Sequence, residues 1–140
     1  MPVYTSRSQG GDQCDQRDFY REMAESAPSP ILSDGYLAMV RLIDRLDSEF
    51  AATNIWLLTS HHHLVLMDSP TYDGGEWLVS VRSIVGQEYF LSYRMPDQIC
   101  PFPRNTSVET TAVGLDQAIA FIKIAMRASG GWPDSTEIHP

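Results

Sequence analysis

The sequence predicts an α+β fold: an antiparallel β-meander sheet of four to five strands with two to three helices packed mainly on one face. Three observations predict it. Apolar residues recur at helical spacing after Ser33 and again from Leu115 to Ala128. Between them, from Ile55 to Met95, the period changes to two, and β-branched and aromatic residues dominate. The 140 residues, 43% apolar and 20% charged, suit one globular domain and exclude disorder, collagen and coiled coil.

The elements follow in order. Residues 1–14 are polar and aperiodic and read as a flexible lead-in, residues 15–132 as a single domain, and residues 133–140 as a C-terminal tail. Asp15 to Ser26 suits a short helix with Phe19 and Met23 on one side, ended by Pro28 and Pro30. Ser33 is the expected N-cap of a long helix running to Ala52, with Tyr36, Met39, Val40, Leu42, Ile43, Leu46 and Phe50 on one arc. Asp47 projects into that apolar arc, as a polar tether at the core edge or as a partner contact.

In the meander, Asp73-Gly74-Gly75 marks a turn. A loop at Val85-Gly86-Gln87 sets Trp77, Val79 and Val81 opposite Met95, Tyr93 and Leu91 on one face, and Leu78, Ser80 and Arg82 opposite Arg94, Ser92 and Phe90 on the other. Pro96, Pro101 and Pro103 make the next connection stiff, and Asn105 to Ala112 reads as a further strand. Leu115 to Ala128 is a helix ended by Gly130-Gly131. Its apolar residues cover most of its circumference, with Asp116, Gln117, Lys123 and Arg127 as the polar stripe. Such a helix is expected to be wedged between the sheet and either the first helices or another subunit.

Charge and cysteine content exclude several function classes. Eighteen acidic against ten basic residues give a net charge of −8, which repels phosphate backbones, and no Lys/Arg stripe offsets it, so no nucleic-acid partner is expected. No apolar run reaches the roughly 20 residues of a membrane span, and the first residues lack the apolar core of a signal peptide. The expectation is a cytoplasmic chain without a membrane partner. Cys14 and Cys100 are too few and too far apart for a disulfide framework or a cysteine zinc knuckle and read as reduced thiols. No cofactor is expected.

Three constellations could carry chemistry. Ser60-His61-His62-His63, read as strand, puts His61 and His63 on one face at a spacing that lets two imidazoles share a metal. Its alternative is a polar strand edge. Asp68, Asp73 and Glu76 form an acidic stretch bordered by Tyr72 and Trp77, suited to capturing Arg or Lys side chains of a partner or simply to solvating a hairpin loop. Arg82 and Arg94, sharing a face with Ser80 and Ser92, suit an anion or nearby carboxylates. There is no P-loop, G-x-G-x-x-G, G-x-S-x-G or H-E-x-x-H, so no catalytic residue is assigned.

Trp77-Leu78-Val79-Ser80-Val81, Glu88-Tyr89-Phe90-Leu91-Ser92-Tyr93-Arg94-Met95-Pro96 and the closing helix running into Ser129-Gly130-Gly131-Trp132 give a layout that resembles the immunity proteins of bacterial polymorphic toxins. The resemblance implies a function class, a tight inhibitor that caps or blocks a toxin's active site, and assigns no residue a role. Together these readings predict a non-enzymatic, acidic protein-binding module that inhibits a basic toxin or effector. Asp68, Tyr72, Asp73, Glu76 and Trp77 are its expected contact residues, with Asp47 and Glu88 as outliers. The alternatives are a metal site at His61 and His63 completed by Asp68 or Glu76, and a structural subunit that homodimerises through the Leu115–Ala128 helix by way of Phe121 and Ile124.

Overall fold

A computed structural model describes residues 3–5, 16–60, 63–69, 78–84, 88–96 and 106–140, the first three as backbone. The order is β1 (Val3–Thr5), α1 (Gln16–Ser26), α2 (Pro30–Glu49), β2 (Ile55–Ser60), β3 (His63–Met67), β4 (Val79–Ile84), β5 (Glu88–Arg94), β6 (Ser107–Val113) and α3 (Leu115–Ala128). The sheet runs β1-β2-β3-β4-β5-β6. Strands β2 to β6 form the expected antiparallel meander, and β4 and β5 take the expected register, with Val79 opposite Tyr93, Ser80 opposite Ser92, Val81 opposite Leu91 and Arg82 opposite Phe90.

Period-two alternation makes the sheet two-faced. Ile55, Leu57, Leu64, Leu66, Val79, Val81, Tyr89, Leu91 and Ala112 point to one face, where they meet Tyr20, Leu42, Ile43, Leu46, Ala118, Ile122 and Met126 of the helices in one continuous core. Helix α2 crosses β4, and α3 lies over β5 and β6. On the other face, Leu58, Val65 and Met67 form a small second cluster rimmed by Trp56.

Two helix boundaries have clear causes. Ser29, rather than Ser33, caps α2: its hydroxyl accepts the Leu32 N–H at 3.3 Å and Pro30 is the first helical residue. Proline fixes a helical φ and lacks an N–H that would be unbonded there anyway, so Pro30 starts a helix instead of only ending one. Helix α3 has the expected bounds. It stops at Gly130, whose φ of 78° suits the left-handed C-terminal cap.

Three expectations are corrected. The lead-in contains β1, whose Val3 to Thr5 pair in parallel with Ile55 to Leu57; three backbone-paired residues on a sheet edge carry no periodic signal. The tail is part of the fold, because Ile138 is fully buried in the core. The histidine run is not one strand: Ser60 ends β2, His63 opens β3, and the two are cross-strand partners; the expected pairing of His61 with His63 lies outside the described residues.

Candidate functional site

The carboxylates chosen from sequence do not converge. Asp68 follows β3, and its Oδ2 accepts the backbone N–H of Trp132 at 3.2 Å. Trp132 sits at φ 51°, a left-handed conformation that costs a non-glycine residue free energy. The Asp68 bond, a second from the indole Nε1 to Asn54 O at 3.0 Å, and burial of the ring hold it there. Asp68 is thus tied to the fold's own chain.

Asp47 lies in the last turns of α2, where Arg17 of α1 reaches it at 3.2 Å and Asp44 at 2.6 Å. The Asp47 side chain is 17% exposed and that of Arg17 14%, so this is a tether between helices. Glu88 opens β5, opposite Ile84 and Val113 on the helix-free face. Because β3 and β5 run in the same direction, Glu88 and Asp68 stand at opposite ends of the sheet. Tyr72, Asp73, Glu76 and Trp77 lie outside the described residues, as do His61, Cys14 and Cys100.

The helix-free face carries the arginine and serine pattern read from the sequence. The Ser80 and Ser92 hydroxyls are 2.7 Å apart, and the Arg82 guanidinium lies 5.2 Å from the Phe90 ring centroid. His63 is half-buried at the edge of this face. Among the described residues no group of three His, Cys, Asp or Glu is placed to hold a metal ion. Burial pushes the Tyr20 and Tyr89 phenols up, and the Tyr89 hydroxyl donates to Ala38 O at 3.1 Å, so both are structural groups.

A surface that the sequence reading missed lies where α1 ends and α2 begins. Ala27 to Ser29 join the two helices, so the last turns of α1 adjoin the first turns of α2. Ile31 is 64% exposed, Leu32 46% and Leu37 38%, which makes α2 the main bearer of exposed apolar side chains among the described residues. Glu22 and Glu25 of α1 and Asp34 of α2 are also exposed, and none forms an ion pair among the described residues, whereas Arg17, Arg21 and Arg45 are engaged with Asp44 and Asp47, Asp18, and Glu49 and Asp116. The signal that could have found it is Pro30-Ile31-Leu32. Starting the helix at Ser33 left two large apolar residues unassigned, and placing the start at Pro30 puts both in the first turn of α2, where they are exposed.

Comparison with protein-family models, with curated proteins and with solved structures gave no match.

Proposed function

We propose that this chain is an acidic protein-binding module that docks on a basic partner and blocks it, as the immunity-protein layout implies. The observation that carries the reading is that Ile31, Leu32 and Leu37 are exposed in the first half of α2, while Glu22 and Glu25 of α1 and Asp34 of α2 are exposed and form no ion pair among the described residues. Apolar side chains supply contact area that gains free energy on leaving water, and unpaired carboxylates steer a cationic surface towards it. A net charge of −8 extends that field beyond the patch. The carboxylates that the sequence reading favoured and the structure describes fit this role less well, since Asp47 and Asp68 are engaged inside the fold.

The test is affinity capture on the immobilised chain and on its Glu22→Lys, Glu25→Lys, Asp34→Lys triple variant, at low and high ionic strength, with the activity of any retained protein then assayed against added chain. The expected result is a basic protein that the wild type retains, that about 0.5 M salt releases, that the triple variant fails to hold, and whose activity falls on addition of the wild type. A partner retained equally by both chains, or one whose activity is unchanged, refutes the proposal.

A further inference from the structure

We infer that the outer edge of β6, with the flank of α3 beside it, is a strand-pairing surface for a second copy of this chain. This inference is independent of the α1–α2 surface: α3 and β6 stand at one edge of the sheet, whereas α1 packs by β2 towards the other.

The parity of the β5–β6 ladder decides which backbone groups face outwards. The Met95 N–H donates to Thr106 O at 3.1 Å, so Thr106, Val108, Thr110 and Ala112 turn their backbone groups to β5, and Ser107, Glu109, Thr111 and Val113 turn theirs away. The Val113 N–H agrees with this parity, because the Gln117 side-chain oxygen takes it at 2.6 Å. Among the described residues, no backbone partner meets the outward groups of Ser107, Glu109 and Thr111; the Thr111 carbonyl receives only a 3.5 Å contact from the Thr110 hydroxyl. All seven residues pair with β5 in unbroken register. The strand has no proline or lysine to blunt the edge, the devices by which exposed edges are usually protected.

The same edge is flanked by apolar side chains. Gln117, Phe121, Ile124 and Ala128 recur at the spacing of one helical stripe, and the Gln117 bond to Val113 shows that this stripe overhangs the outer edge of β6. The opposite flank of α3 faces α2, where Asp116 pairs with Arg45. Ile124 is 60% exposed, and Val113, on the helix-free side of the strand, is 63% exposed. The helix side of the edge therefore carries Phe121, Ile124 and Ala128, and the other side Val113 beside Ser107, Glu109 and Thr111.

The outward groups of β6 complement those of an identical strand about a two-fold axis, which selects a second copy as the occupant, and charge permits it. Two chains of charge −8 repel each other over most of their surfaces, but β6 and the α3 stripe together hold a single ionisable side chain, Glu109. Antiparallel pairing about a two-fold axis at Thr110 sets Glu109 opposite Thr111 of the copy and Ser107 opposite Val113. Every outward backbone group then gains a partner except the occupied Val113 N–H and the Ser107 carbonyl that faces it, and the two α3 stripes are brought alongside each other. Centring the axis on Glu109 would instead oppose two carboxylates, which is destabilising. The product is one sheet continuous through two chains.

The test is sedimentation equilibrium on the full chain at concentrations up to about 1 mM, with Thr111→Glu, Thr111→Lys and Ile124→Asp, each checked for an unchanged circular dichroism spectrum. Thr111 and Ile124 are exposed, so the variants should fold. The wild type is expected to dimerise. Thr111→Glu, which sets a carboxylate opposite Glu109 twice per dimer, should raise the dissociation constant about tenfold, and Thr111→Lys should lower it. Ile124→Asp should raise it about tenfold or more. A monomeric wild type, equal effects of Glu and Lys at Thr111, or no effect of Ile124→Asp overturns the inference.

Discussion

Ile138→Ala tests whether the last eight residues are a tail or part of the core. Ile138 is fully buried and belongs to the cluster that holds Leu46, Ile55 and Trp132. Truncating such a side chain removes its transfer free energy and leaves a cavity, which costs about 3 kcal/mol. Against a typical net stability of roughly 5–15 kcal/mol, that is a large fraction, and for a chain of this size it lowers Tm by about 6–12 °C. Removing residues 133–140 altogether should cost more. The Glu137 carboxylate accepts from the Thr53 hydroxyl at 2.7 Å and from Ala52 N–H at 2.8 Å, and the Ser135 hydroxyl lies 2.6 Å from that of Thr53. Thr53 is 2% exposed, so its unpartnered hydroxyl adds about 1–3 kcal/mol. Urea unfolding followed by tryptophan fluorescence and by circular dichroism measures both changes, with the exposed Pro140→Ala as control. An Ile138→Ala midpoint within about 0.5 kcal/mol of wild type, or a truncated chain as stable as the intact one, would refute the assignment of this segment to the core.

Asp47→Ala should lower the urea-derived stability by about 1 kcal/mol or more, and by more than Asp44→Ala does, because Asp44 is 59% exposed and surface pairs contribute little; the reverse order would contradict the tether. Burial raises the Tyr20 and Tyr89 pKa values above 10.0, so the folded chain holds protons that the unfolded chain releases: stability should be intact below about pH 10 and fall above it, by roughly 1.4 kcal/mol per pH unit for Tyr20, with Tyr89 acting in the same direction. Tyr20→Phe should remove one such increment from the alkaline slope, and an unchanged slope would show that the phenol ionises as readily folded as unfolded.

Local periodicity carried much of the architecture. The bounds of α3, the β4–β5 register and the two-faced sheet all follow from spacings of 3.6 and 2 within short windows, because those spacings decide which face can leave water. A polar pattern was legible in the same way: Ser80 opposite Ser92 and Arg82 opposite Phe90 need only the strand alternation and the register. The bland reading of Asp47 as a tether was also legible, although Arg17 as its partner was not.

What only the tertiary structure decided involves residues far apart in the chain. Asp68 holds Trp132 across 64 positions, and Thr53 holds Glu137 across 84; no local pattern distinguishes such a carboxylate from one that waits for a partner. Strand β1 exists through pairing with β2 alone, and Ser60 and His63 face each other because β2 and β3 turn back between them. The surfaces that matter for binding were decided last of all. Sequence determined that Ile31, Leu32 and Ile124 are apolar, but burial depends on what the rest of the chain brings over each helix. Only the assembled layers show that nothing among the described residues covers these three.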